Sequence, residues 1–402
     1  MSMPFLQRNP PLRFALTACA FTAAVFTAFQ AVTLLASVVP LLRTEPGPLA
    51  RRLIKTSKVK VKPLPKGVKR IYIEKEGGLK RIVEDDGSGV DGTDYRIEVL
   101  TNVGCDEGHL AEGEMAHAPL VFLHGGMGSA RCYDRWMEYF SSERKRHVFS
   151  ISLRGHGNST RPSNFTRLTK ASFAEDLDTA LAAIHELLVS NTQSISQTRP
   201  VLIAHSAGGG IAQYYLTIVA SASYTPQALV LVAPFPPFGG YPVYSNWNSF
   251  DPWFALRFIW DGCDPMSPLS TPELVKRAFF ADSKALTRSV ISGNALEDSV
   301  EEFFEQMNPE ENGAWPASMM FRFADPAKVK SSVNGKVHLI TASHDRLMSQ
   351  DIMQRVQEAY GNVDRKGIGM DVVQGSGHHI MFDDQWKEAL KFLESILEVW
   401  GV

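Results

Sequence analysis

Four short runs of almost unbroken apolar residues punctuate the middle of the chain: "PLVFLH" ending at His124, "HVFSISL" ending at Leu153, "PVLIAHS" ending at Ser206 and "ALVLVAP" ending at Pro234. A strand that is apolar at successive positions has both faces buried, as a parallel sheet covered by helices requires. Between the runs lie stretches with apolar residues three and four apart, such as "SFAEDLDTALAAIHELLVS" from Ser172 to Ser190, the spacing of an amphipathic helix. "KVHLITA" and "GMDVVQG" continue the strand series, and "DDQWKEALKFLESILEVW" closes it as a helix. Ahead of them, "KRIYIEK" (Lys69 to Lys75) and "DYRIEVL" (Asp94 to Leu100) are expected to form an opening pair of strands joined by a Gly/Asp-rich turn. This alternation predicts a doubly wound, mostly parallel α/β sheet built from residues 71–234 and completed by 336–402.

Residues 235–335 interrupt the alternation and contain no strand pattern, so they are expected to form a helical insertion. The first part is crowded with aromatic residues from Phe235 to Trp260. Most are expected to fill the insertion's own core. Collectively they are expected to line an apolar pocket, with Trp253 and Trp260 as substrate-binding residues.

At the N-terminus the segment Phe14 to Leu42 carries no charge and exceeds the roughly 20 residues that cross a bilayer. It predicts a single transmembrane helix, with residues 1–43 as a membrane anchor and 44–70 as a basic, proline-bearing linker. A cleaved signal peptide and a mitochondrial presequence are the alternatives. Only Arg8 and Arg13 precede the run, while Arg43, Arg51, Arg52, Lys55, Lys58, Lys60 and Lys62 follow it against Glu45 alone. Lys and Arg near a span stay on the cytoplasmic side, so the folded domain is expected in the cytoplasm. Two N-glycosylation sequons, Asn158-Ser159-Thr160 and Asn164-Phe165-Thr166, would be used only in a secretory-pathway lumen or outside the cell. They are read as chance matches.

An apolar fraction of 44% over 402 residues can bury a sizeable core, and a net charge of -2 argues against a nucleic-acid partner. Of the 4 cysteines, Cys19 falls in the apolar run, and the other three have no metal-like spacing, so reduced thiols are expected. HExxH, P-loop and dinucleotide-type glycine motifs are all missing, and neither a metal nor an organic cofactor is expected.

The chemistry concentrates where strands end. In "VLIAHSAGGGIAQYYL" an apolar strand passes through Ala204-His205-Ser206-Ala207-Gly208 into a helix, the pattern of a nucleophile elbow, in which a strained turn exposes the serine hydroxyl. Positions two before and two after the serine are expected to pack against each other, which demands small residues. The usual motif is G-x-S-x-G, and Ala204 departs from it by one methyl.

With "LHGGMGSA" after the strand Leu120 to Leu123, and "SLRGHGNST" after the next, the chain from about Tyr95 onward resembles the α/β-hydrolase superfamily. The resemblance implies an oxyanion hole from the backbone N–H groups of Ala207 and Gly126, with Met127 as the alternative donor and a neighbour of the substrate. It also implies the order Ser, acid, His. Asp345 in "LITASHDRLM" fits the acid, and His378, directly after a glycine in "VVQGSGHHIMFDDQW", fits the base in preference to His379. His205 and His344 are expected to shape the pocket, and His156 to be a packed loop residue.

The resulting expectation is a membrane-anchored serine hydrolase for a lipophilic ester or thioester. The alternatives are C–C hydrolysis, perhydrolysis or acyl transfer on the same triad, or a non-catalytic ligand-binding protein on this scaffold.

Overall fold

The computed structural model describes residues 63–76, 79–85, 95–105, 117–191, 198–218, 224–280, 300–361 and 368–402. Nine strands form one sheet: β1 (Lys69–Glu76), β2 (Leu79–Glu84), β3 (Arg96–Thr101), β4 (Leu120–Leu123), β5 (Val148–Ile151), β6 (Val201–His205), β7 (Ala228–Val232), β8 (Val337–Ala342) and β9 (Gly369–Val373). Their order across the sheet is β2-β1-β3-β5-β4-β6-β7-β8-β9. From β5 to β9 every pairing is parallel, while β1, β2 and β3 pair antiparallel. The apolar runs form the centre for the reason their composition gives: every residue of β4, β5, β6 and β7 is buried.

One strand was not foreseen. The segment read as a turn between the opening strands contains β2, which pairs with β1 from Ile71 opposite Glu84 to Glu76 opposite Leu79. Its sequence, LKRIVE, mixes charged with apolar residues because it is an edge strand with one neighbour. The expected pair of β1 and β3 is present and runs antiparallel, with Ile71 opposite Val99.

The crossovers carry α1 (Asp134–Glu138), α2 (Lys170–Asn191) and α3 (Ser206–Ile218); α2 and α3 pack on each other. Between β7 and β8 the described residues hold six helices: α4 (Tyr241–Phe250), α5 (Phe254–Trp260), α6 (Pro272–Phe279), α7 (Val300–Gln306), α8 (Ala314–Ser318) and α9 (Pro326–Ser332). Two more complete the fold, α10 (Gln350–Gly361) and α11 (Trp386–Trp400). No helix among the described residues is long and apolar enough to cross a membrane, and the run Phe14 to Leu42 lies outside them. No disulfide joins Cys105, Cys132 and Cys263.

The loops at the C-terminal ends of β4, β6, β8 and β9 begin at His124, Ser206, Ser343 and Gln374. Because these strands are parallel neighbours, four segments distant in sequence meet along one edge of the sheet. Ligand sites of open α/β sheets lie at this edge.

Candidate active site

Ser206 stands at the junction of β6 and α3 with φ at +51°, in the left-handed region where a residue with a Cβ is strained. Surrounding contacts hold it there: its carbonyl accepts the Phe235 N–H at 2.8 Å. The turn needs glycine on both loops that meet at it. A Cβ on Gly208 would lie 2.1 Å from the His124 carbonyl oxygen, and one on Gly125 would lie 2.8 Å from Ser206 Cβ. Gly208 is thus held closely by the end of β4 and its loop, and Ala204 lies at the buried end of β6.

The three residues selected from sequence meet. His378 Nε2 lies 2.9 Å from Ser206 Oγ, and His378 Nδ1 lies 2.7 Å from Asp345 Oδ2. A carboxylate only accepts, so Nδ1 carries the proton and Nε2 is left to accept from the serine hydroxyl. Asp345 is buried, and its Oδ1 accepts the N–H groups of Leu347 and Met348, each at 2.8 Å, which fixes the carboxylate's rotation. The acid and base loops are also tied directly, His344 N–H to Ser376 O at 2.9 Å and Gly375 N–H to Ser343 Oγ at 2.8 Å.

The neighbouring histidines divide by contact. His205 is buried and donates Nε2–H to the His378 carbonyl at 3.0 Å, so it braces the base loop. Burial holds its imidazole well below the usual range, and the nearby His378 and His379 rings add to this. His379 donates its backbone N–H to the Phe279 carbonyl, and its ring sits among Phe279, Phe280, Phe303 and Phe382, away from the serine hydroxyl. His344 is exposed.

Ala207 lies in the first turn of α3, where N–H groups have no intrahelical partner. At the β4 loop the two candidate donors are distinguished by an acceptor from the insertion: Met127 N–H donates to Glu311 Oε2 at 2.5 Å. Met127 N–H is thereby committed to the insertion. Met127, at φ +58°, is held on its other side by Asn308, whose N–H donates to its carbonyl at 2.9 Å.

The family model described as the alpha/beta hydrolase family matches residues 120–391. The chain belongs to the alpha/beta hydrolase family. No curated protein matches its sequence. Among solved structures, a bromoperoxidase from Bacillus anthracis is similar at TM-score 0.53 and 17% identity, covering 77% of this chain and 97% of its own. Carboxylesterases of the Thaumarchaeon Nitrososphaera gargenis give TM-score 0.51 and 15% identity over 77% of this chain and 97% of theirs. The esterase RhEst1 from Rhodococcus sp. ECU1013 gives 0.50 and 17% over 77% and 96%. At such identities the likeness is one of fold.

Beyond this family core, the insertion supplies residues that sequence reasoning missed. Glu311 is buried, and its carboxylate gathers four groups: Met127 N–H, Trp315 Nε1–H at 3.1 Å, its neighbour Asn312 N–H at 2.6 Å, and His156 Nε2 at 3.2 Å. His156 is fully buried, as its reading as a packed loop residue requires, and is a junction between the "RGHG" loop and the insertion. Glu310, the adjacent acid, instead pairs with Arg161 near the surface. Nothing in "NPEENGAW" separates the two glutamates until the fold does.

The expected substrate-binding tryptophans stand apart from the triad's surroundings: Trp253 is 68% and Trp260 90% exposed. The aromatic residues facing the site come from α6 and α7: the Phe279 ring is 5.6 Å from that of His378, and the Phe303 ring 4.6 Å from that of His379. A cleft beside the oxyanion turn is lined by Met127, Arg131, Phe303, Met307, Met381 and Phe382. Among the described residues, no group of three or more His, Cys, Asp or Glu is placed to hold a metal ion.

Proposed function

We propose that this alpha/beta hydrolase is a membrane-anchored serine hydrolase that cleaves the carboxylic ester or thioester of a lipophilic substrate through an acyl-enzyme. The observation that carries the reading is the hydrogen-bonded series Ser206, His378, Asp345 at the strand ends. Ser206 Oγ attacks the acyl carbon as its proton passes to His378 Nε2. The imidazolium is stabilised by Asp345, and the tetrahedral oxyanion by the N–H groups of Gly126 and Ala207, each worth about 3–4 kcal/mol in reactions of this type. Collapse expels the alcohol or thiol with the proton from His378. Water then attacks the acyl-enzyme by the same steps and releases the acid.

The lipophilic substrate is supported by Phe279, Phe303 and the methionines around the cleft. Apolar walls favour apolar ligands by roughly 25 cal/mol per Å² buried. The insertion is proposed to act as a helical lid, and the uncharged run Phe14 to Leu42 as a single span with the catalytic domain on the cytoplasmic side.

The test is labelling by a fluorophosphonate probe, which requires an activated serine, together with turnover of acyl esters and thioesters of graded chain length. Ser206→Ala and His378→Ala should each abolish labelling and lower turnover by on the order of 10⁴–10⁶-fold, since triad members act as a unit. Turnover retained in Ser206→Ala refutes the reading.

A further inference from the structure

The helix α5 is apolar except for Arg257. Its inward face carries Phe254 and Phe258, which are buried and stack 6.2 Å apart, Phe254 also lying 5.4 Å from the Trp247 ring. At 100° per residue, Trp253, Trp260, Leu256 and Ile259 fall within about 120° on the opposite side. These four are 68%, 90%, 61% and 45% exposed. A water-facing helix ordinarily places polar residues there. A contiguous apolar patch of this kind marks an interaction surface.

We propose that this face of the insertion docks on the lipid bilayer that holds Phe14 to Leu42. The inference rests on the anchor reading above and adds to it which surface of the catalytic domain meets the membrane. Three observations select a bilayer as the occupant. The pair of tryptophans at the rim of an apolar stripe suits the interfacial zone, where indole has an apolar body in the acyl boundary and a polar N–H among headgroups. Two arginines neighbour the stripe, Arg257 and Arg277, which both pair with the buried Asp251, while Asp261 at the helix end bonds Ser267 Oγ; the arginines supply cations for anionic headgroups, without a net positive charge on the patch.

The third is where the chain leads. The first described residue, Pro63, is held by its carbonyl to Arg131 Nη2 at 2.9 Å, and Arg131 shares the cleft with Phe303 and Met307 of the insertion. The polypeptide therefore arrives on the insertion's side of the sheet. Residues 43–62 can reach up to about 70 Å at roughly 3.5 Å per residue, against a domain radius of gyration near ~20 Å. The tether is long enough to let this face lie flat on the membrane.

The experiment uses the full chain in vesicles of phosphatidylcholine and phosphatidylglycerol carrying brominated acyl chains, which quench indole fluorescence at short range. All 7 tryptophans lie at or beyond position 136, so the N-terminal run contributes no signal. Trp136 and Trp315 are buried. Flotation with the vesicles reports the anchor, and quenching reports the docked face. The expected result is co-flotation with strong quenching, most of it removed in Trp253→Ser/Trp260→Ser and retained in Trp386→Phe/Trp400→Phe. Where the double variant does not fold, Trp260→Ser alone repeats the test at the most exposed position.

Co-flotation without quenching, or quenching that survives the double substitution, overturns the docking and leaves the anchor standing. A chain that stays in the aqueous fraction overturns both. Protection of the tryptophans from aqueous acrylamide that needs no lipid and is lost on dilution identifies a second copy as the occupant, and overturns the proposal too.

Discussion

The carboxylate of Glu311 accepts the N–H of Met127 at 2.5 Å, so a residue of the insertion holds the turn in which Gly126 is the proposed oxyanion donor. Removing it leaves buried donors on Met127, Asn312 and Trp315 without their acceptor, at about 1–3 kcal/mol each where no water reaches them. Glu311 does not touch the reacting atoms and acts through the turn, as a positioning residue.

Glu311→Ala is therefore expected to lower the melting temperature and also to lower kcat by about 10–100-fold with little change in KM, part of the factor seen when an oxyanion donor is lost outright. A trifluoromethyl ketone, which forms a tetrahedral adduct with the serine, should lose affinity by the same factor as kcat. Glu311→Gln keeps one acceptor oxygen and should fall between. A variant with reduced stability, unchanged kcat and unchanged inhibitor affinity would assign Glu311 to folding alone.

The elbow supplies a sharper pair of substitutions. Gly208→Ala sets a methyl 2.1 Å from the His124 carbonyl oxygen, a backbone atom that cannot turn away as a side chain would. The cost should be about 3 kcal/mol or more, the upper end for overpacking, with loss of probe labelling. Ala204→Gly, which restores the usual motif, should leave labelling within about twofold and lower stability by about 1 kcal/mol through backbone entropy in a strand. Denaturant midpoints and probe rates for the two variants decide the point. If Ala204→Gly raises the labelling rate while Gly208→Ala is tolerated, the steric account of the turn is wrong.

The sequons bear on orientation. Asn158 is not an idle acceptor: its side-chain Nδ2 donates to Glu98 Oε1 at 2.9 Å, and Glu98 is buried with Arg70 and Ser152 around it. A glycan on that nitrogen would interfere with the contact. Full-length chain made in a eukaryotic host should show no mobility change on endoglycosidase treatment. A shift that disappears when Asn158 and Asn164 are both changed to Gln would put the domain in a lumen and reverse the proposed orientation.

What the sequence made legible follows from where constraint is local. The central strands were readable because β4 to β7 are buried on both faces, and Ser206, Asp345 and His378 because each follows a strand end within a short motif resembling that of the family. β2 was not, since an edge strand with one neighbour keeps charged residues that look like a turn. The exposure of Trp253 and Trp260 was not legible, because aromatic density reports apolar demand without saying which side of a short helix meets the core. Glu311 was invisible because two of its four partners, Met127 and His156, come from segments that only tertiary folding brings to it.

The buried histidines predict how stability varies with pH. His124 donates Nδ1–H to the Gly125 carbonyl at 2.7 Å and accepts the Leu153 N–H on Nε2 at 3.1 Å, a pattern only the neutral ring can satisfy. Burial, with His156 nearby, holds it down to about 3. His379, enclosed by phenylalanines, is likewise held by burial and the neighbouring His378 at about 3. In the unfolded chain both titrate near ~6.5. Below that pH the unfolded state takes up protons that the folded state refuses, so stability is fully present above about 6.5 and is lost as pH falls towards 3. Each ring should cost about 2 kcal/mol by pH 5. Asp176 works the other way, because burial pushes its carboxyl up to about 6 despite the Arg154 guanidinium, and this partly offsets the loss between about pH 6 and 4. The offset is common to all variants, so a difference isolates one ring. Urea midpoints measured from pH 8 to pH 5 should fall more steeply for the wild type than for His379→Gln, by about 1.4 kcal/mol per pH unit below 6.5, while the two run parallel above pH 7. Parallel curves over the whole range would show that His379 takes up a proton in the folded protein, and that the phenylalanine enclosure does not keep it neutral.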